Sequence, residues 1–393
     1  MSSPSTDPSA AAREPICATI AGTRLELIVS GAARLDALLA LIDGARSSIR
    51  LLFYMYASDL AGTRVRDALV AAARRGVRVQ VLLDGYGCAD LPGDFFHPLR
   101  DGGGHYCLFH PKYGRRYLLR NHQKLVIADD CKALVGGANI VDEYLTDAGD
   151  RHWRDLWLAL DGQAVPAAAS YFDALYRWTE RRRPRMRSLR RLVHRHSGHQ
   201  GPLQWKFSAP MSLRSPWPGG LVRELASARR LDIIAAYFSP PRSMLRRLGR
   251  LARRGTVRVI TAARSDNGAT IDAARHTYTR LLRRGVAMHE YLPAKLHSKL
   301  MIVDEAVYIG SANFDFRSLY INMEIMLRIE DPGFTAAMRG YFDAELVDSE
   351  AITPELHRQR ATMWRRVKWT LSHWLVTSMD YTVTRRLNFR SEG

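Results

Sequence analysis

Residues 120–144 read RNHQKLVIADDCKALVGGANIVDEY, and residues 295–318 read KLHSKLMIVDEAVYIGSANFDFRS. Both stretches carry H-x-K-x-x-x-x-D: His122, Lys124 and Asp129, then His297, Lys299 and Asp304. The runs KLVIAD and KLMIVD have strand character, so residues two apart share a face and each His points the same way as its Lys. A second apolar run follows and ends in small residues and an amide, Gly136-Gly137-Ala138-Asn139 or Gly310-Ser311-Ala312-Asn313. Small residues let backbone N–H groups and the Asn amide approach an anion closely. A single H-x-K match is weak. Two matches, with the Asn arriving 17 and 16 residues after the His, imply a repeated fold or a reaction that uses two copies of one toolkit.

The repeat extends outward from the motifs. GAARLDALLALIDGA, IRLLFYMY, TRVRDALVAAARRG and VRVQVLLD read as helix, strand, helix, strand, and LVRELASARR, LDIIAAYFS, RSMLRRLGRLARRG and VRVITAA repeat that order. Alternation of this kind predicts an α/β fold: two duplicated halves, each a mostly parallel sheet flanked by helices. Gly76 and Gly255, each after Arg-Arg, read as left-handed helix caps. The expected division is a flexible tail over 1–22, a first half over 23–180 and an Arg-rich linker over 181–203. A second half over 204–350 and a basic, Trp-rich segment over 351–393 complete it.

Composition is that of a globular protein, with 47% hydrophobic and 25% charged residues, but the net charge is +19. Such a chain is drawn to polyanions, either nucleic acid or an anionic membrane surface. The basicity is fifty-one arginines against seven lysines, and two of those lysines stand in the motifs. A compact ammonium, rather than a planar fork, is what those positions call for. The linker stretch RRRPRMRSLRRLVHR suits a solvated connection and an anion-binding strap equally well. Near the C-terminus, Trp364, Trp369 and Trp374 stand among Arg365, Arg366 and Lys368. That pattern fits a helix lying in a membrane interface or one docked on the protein. No run of about 20 apolar residues predicts a spanning helix. No secretory signal is evident, and four scattered cysteines fit a reducing cytoplasm.

The sequence resembles the phospholipase D superfamily, and within it the bacterial cardiolipin synthases. The resemblance is carried by the two motifs and by FYMYASDLAGTRVRDALVAAARRGVRVQVLLD, GGANIVDEY, WRDLWLALDG, AAYFSP, GSANFDFRSLYINMEIML and MDYTVTRRLNF. It implies two halves meeting at one active site and displacement at a phosphodiester through a phosphohistidine. His122 is then the nucleophile and His297 the general acid, an order the residues alone leave open. Lys124, Lys299, Asn139, Ser311 and Asn313 would stabilise the phosphate oxygens, and Asp155 and Glu324 match the family's His-orienting carboxylates. Asp129 and Asp304 complete the motif and are expected to support the strand turn. Gly137 stands where the second copy has Ser311, one hydroxyl fewer in that half. The family chemistry needs no metal, and no cofactor is expected.

The function so implied is phosphatidyl transfer between phospholipids to make cardiolipin, with phosphatidylglycerol as donor. The expected partners are anionic phospholipids and a membrane surface, the expected place the cytoplasmic face of the cell membrane, peripherally. A hydrolase of the same type, or a superfamily nuclease for which +19 would serve as well, is the alternative. A non-catalytic basic binding module ranks last, since both motifs are intact.

Overall fold

The computed structural model describes residues 15–110, 119–149, 152–210 and 214–378. It holds two eight-stranded sheets. The first runs Cys17–Ile20, Thr23–Ile28, Trp157–Gly162, Lys132–Gly136, Leu125–Ala128, Ser48–Phe53, Arg78–Asp84, His105–Phe109. The second runs Leu203–Phe207, Ile325–Glu330, Ala306–Gly310, Lys299–Val303, Arg230–Ala235, Thr256–Ala262, Ala287–Tyr291, Ser349–Ile352. Seven strands correspond in order, and each sheet adds one strand at the opposite edge.

The duplicated α/β class holds, but the sheets are mixed rather than mostly parallel. Ser48–Phe53, Arg78–Asp84 and His105–Phe109 run parallel, as do Arg230–Ala235, Thr256–Ala262 and Ala287–Tyr291. The motif strands pair antiparallel with both neighbours. The cause is connection length. Helices Leu60–Arg74 and Arg242–Ala252 cross over between parallel strands, whereas the motif strands are joined by turns too short for a crossover. Asp129 and Asp304 make those turns, with φ of 52° and 46°. The Asp129 carboxylate accepts the N–H groups of Arg46, Ser47 and Ser48, and Asp304 accepts those of Arg229 and Arg230. Both are strand-turn supports, as expected.

Two boundaries fall differently. Cys17–Ile20, placed in the tail, is an edge strand paired with Thr23–Ile28. Its register continues the hairpin around Ala21-Gly22, both at positive φ. Within the expected linker, Met186–His196 is a helix whose Leu189 and Val193 are buried in the core between the sheets. Apolar residues four apart were enough to fix it amid the arginines. Gly76 caps its helix at φ 88°, but Gly255 does not. A Cβ at Gly255 would lie 1.8 Å from the Arg229 carbonyl oxygen, so that glycine permits a close approach instead.

The inner faces of both sheets, with helices Val165–Thr179 and Pro332–Val347, share one core that includes Leu125, Leu158, Leu300 and Leu327. Each outer face has a separate core under its own helices. The C-terminal helix Met363–Ser378 docks on helix Gly268–Leu282. Among the described residues no helix is long and apolar enough to cross a membrane. The MDYTVTRRLNF stretch lies outside the described residues.

Candidate active site

Residues 121–124 lead into strand Leu125–Ala128, and residues 297–298 lead into Lys299–Val303. Each lead-in is held by the opposite half. His122 N donates to Met323 O at 2.9 Å, and Met323 N donates to Arg120 O at 2.9 Å. His297 N donates to Arg154 O at 2.7 Å, beside a two-residue parallel ribbon of Lys295–Leu296 with Trp153–Arg154.

The side chains repeat the exchange. His122 Nδ1 lies 3.1 and 3.0 Å from the Glu324 carboxylate oxygens, and His297 Nδ1 lies 2.5 Å from Asp155 Oδ2. Both carboxylates are fully buried. A carboxylate on Nδ1 favours the proton there and leaves Nε2 with its lone pair, although at His297 the Lys299 Nζ also lies 2.7 Å from Nδ1. Each half therefore supplies one imidazole and the carboxylate that meets the other half's imidazole.

Lys124 Nζ donates to His122 O at 2.7 Å. Lys299 Nζ donates to His297 O and lies 3.9 Å from Asp155 Oδ2. Both ammonium groups are buried, and the Tyr54 ring lies 4.9 Å from the His122 ring and 5.2 Å from Lys124 Nζ. Asn139 Oδ1 accepts from Met55 N at 3.2 Å, which leaves its Nδ2 as the remaining donor. His122, His297, Asn139 and Asn313 all line one cavity of about 370 Å³.

Ser311 does not join them. Its Oγ donates to Glu324 Oε2 at 2.5 Å and accepts from Ile325 N at 3.1 Å. Ser318 Oγ, at 2.8 Å, and Asn322 Nδ2, at 3.3 Å, donate to the same carboxylate. The hydroxyl expected on the phosphate is committed to holding Glu324. Gly137 explains the departure in the first copy: a Cβ there would lie 2.5 Å from Asp155 Oδ1 and 2.8 Å from Lys299 Cδ. Asp155 fills the space a serine would need.

Burial sets the titration of the site. Desolvation lowers His122 to about 4 and His297 to about 3, with the nearby lysines adding to the shift. Desolvation likewise lowers Lys124 to about 7 and Lys299 to about 8. Burial works against ionisation of Asp155, yet Lys299 and His297 hold its carboxyl below the usual range. Near pH 7 both imidazoles are therefore neutral, Lys299 keeps most of its charge and Lys124 is near its midpoint.

Sequence reading missed several cavity residues. Tyr54 and Tyr237 each follow a central strand of their half, and their rings lie 4.9 Å from His122 and 6.1 Å from His297. In strand register Tyr54 matches Ala236 and Tyr237 matches Met55, so aligning the repeats would not have paired them. Tyr144 and Trp153 stand edge-on to His297 at 4.9 and 5.3 Å. Arg120 and Arg317 also line the cavity, each inside a quoted motif stretch, with Arg120 stacked 3.8 Å over Tyr86. Asp129 and Asp304 are not among the lining residues.

The chain matches the family described as cardiolipin synthase, PLD-like domain, over residues 38–175 and 221–346. It is 31% identical over 364 residues to the major cardiolipin synthase ClsA of Bacillus subtilis, an overlap covering 89% of this chain and 74% of that one. With cardiolipin synthase A of Pseudomonas putida it is 30% identical over 346 residues, covering 86% and 71%. Among solved structures, phosphatidylserine synthase of Haemophilus influenzae superposes with a TM-score of 0.70 at 14% identity, covering 92% of this chain and 94% of that one. That likeness is one of fold. With both motifs converging on one cavity and relatives of this identity over most of its length, the chain belongs to the cardiolipin synthase family of phospholipase D-like proteins.

Proposed function

We propose that the protein transfers a phosphatidyl group from phosphatidylglycerol to the hydroxyl of a second phospholipid, giving cardiolipin and glycerol through a phosphohistidine. The observation that carries this reading is the pair of imidazoles on one cavity, each met at Nδ1 by a buried carboxylate of the other half. Neutral His122 attacks phosphorus through Nε2, the bond to the glycerol oxygen breaks, and His297 gives that oxygen its proton. In the second step His297 takes the proton of the acceptor hydroxyl, whose oxygen attacks phosphorus and releases His122. Lys124, Lys299, Asn139 and Asn313 stabilise the oxygens that gain charge.

A group titrating near 3 is unprotonated near pH 7, so His297 needs the substrate to charge it. A bound phosphodiester brings negative charge beside the ring, and an opposite charge nearby favours the protonated imidazole, as Asp155 already does. The assignment of the two histidines follows the family resemblance.

The basic charge and the lipid substrate favour work at an anionic membrane surface. Free cysteines, Cys17 and Cys131 exposed among them, favour the cytoplasmic face. The test is to incubate the purified protein with phosphatidylglycerol vesicles and analyse the lipids by mass spectrometry. Cardiolipin with free glycerol is expected. Phosphatidic acid alone would make it a hydrolase, and no turnover would sink lipid chemistry in favour of a nuclease or an inert binder.

A further inference from the structure

We infer that the outward face of the C-terminal helix Met363–Ser378 seats the protein on an anionic phospholipid bilayer, with the active-site cavity beside it; this rests on the lipid reading above. One face of the helix is already used. Trp369 stacks on His357 at 5.3 Å, His373 on His276 at 4.6 Å, and Lys368 pairs with Asp272 at 3.2 Å. Trp369, Ser372 and Val376 are buried there. The helix is therefore held without its other face.

That other face is apolar and bare. Trp364, Val367, Leu371 and Trp374, at i, i+3, i+7 and i+10, are 84%, 47%, 57% and 58% exposed, and Met363 adds 82% at the start. Among the described residues the remaining exposed large hydrophobics are Leu60, Leu108, and the neighbouring Leu292 and Val347, where Leu292 N donates to Asp348 O. Single ones need no explanation, but a contiguous stripe marks a surface that something covers.

Charge and residue type identify the occupant. The helix carries Arg365, Arg366 and Lys368 and no acidic residue. On the helix it docks against, Arg280 lies in the field of Arg242, Arg246 and Arg284. Tryptophans at both ends of an apolar stripe, flanked by cations, suit the boundary between acyl chains and anionic headgroups. The same helix reaches the chemistry from its docked face: Val376, two residues after Trp374, lines the cavity that holds His122 and His297. Seating the stripe therefore places the cavity one helix diameter, ~10–12 Å, from the lipid surface.

The test uses the full chain and vesicles of equimolar phosphatidylglycerol and phosphatidylcholine. The Trp364→Gln/Leu371→Gln/Trp374→Gln variant should lose about tenfold in vesicle flotation. It should lose as much activity on vesicles, yet keep wild-type activity on monomeric short-chain phosphatidylglycerol. In the unaltered protein, acyl-brominated phosphatidylglycerol should quench tryptophan fluorescence, a readout independent of how the variant folds. Wild-type flotation by the variant, or no quenching, overturns the proposal. So does a wild-type dimer that the substitutions make monomeric while vesicles bind neither protein, which would give the face to a second copy. Vesicle binding that appears only after residues 379–393 are removed would give it to the chain's own end. Flotation and quenching without turnover would instead sink the catalytic reading and leave the docking surface standing.

Discussion

The Nδ1 atom of His122 lies 3.0 Å from Oε2 of Glu324, and the two residues come from opposite halves of the duplication. His297 and Asp155 repeat the pairing in reverse. Neither half can orient its own imidazole, so the site exists only where the halves meet.

Glu324→Gln and Asp155→Asn keep side-chain size and remove the charge that fixes each imidazole. Each should lower kcat about ten-thousandfold with little change in KM, by analogy with other carboxylate–histidine pairs. Steady-state kinetics on phosphatidylglycerol provide the check. Near-wild-type kcat in both would mean the carboxylates merely fill space.

Lys124→Arg and Lys299→Arg should each lose most activity, because a planar guanidinium cannot take the place of a compact ammonium. Both positions are fully buried, so the larger side chain should also cost about 1–3 kcal/mol of stability through overpacking. Denaturant unfolding and turnover, measured together, separate the two effects. Retained activity in both variants would reduce the lysines to diffuse charge.

The pH dependence follows from the shifted groups. As pH rises through about 7 and then about 8, Lys124 and Lys299 lose their charge and kcat/KM should fall. As pH falls through about 4, His122 becomes protonated and ceases to be a nucleophile. Stability has its own signature. The folded histidines titrate near 4 and 3, below the ordinary imidazole value of 6.5, so between those values the unfolded chain binds more protons. Their contribution to stability is therefore present above about 6.5 and lost on acidification towards 4. Urea midpoints that stay flat across that window would contradict the burial of these imidazoles.

Ser311→Ala should lower kcat and cost about 1–3 kcal/mol, since it removes a hydrogen bond from a buried carboxylate. A serine that touched phosphate would leave stability unchanged and act on turnover alone. Gly137→Ser should be nearly inactive while folded, because its side chain would push on Asp155 and Lys299. A gain of activity there would restore the idea of a missing hydroxyl donor.

Much of this was legible in the sequence because the duplication repeats both residue type and register. His, Lys and Asn at fixed offsets on strands and turns could be placed without knowing how the strands pair. What stayed hidden depended on contacts between halves. The crossing of Asp155 and Glu324 is a tertiary relation, and the commitment of Ser311 to Glu324 follows from it. The mixed sheet was missed because apolar strand runs look alike whether parallel or antiparallel. The helix Met186–His196 was masked by its arginines. In the C-terminal helix the two alternatives were not exclusive: Trp369 is docked while Trp364 and Trp374 face outward.

The covalent route with unequal histidines is tested most directly by a phosphodiester analogue that releases p-nitrophenol, a leaving group that departs without a proton. On it, His297→Ala should give a burst of nitrophenol and accumulate a phosphoenzyme on His122, because breakdown needs His297 to deprotonate the incoming hydroxyl. His122→Ala should give neither burst nor adduct, as read by stopped-flow absorbance and mass spectrometry of the trapped protein. An adduct on His297 in the His122→Ala protein would reverse the two roles, and no adduct in either variant would contradict the phosphohistidine itself.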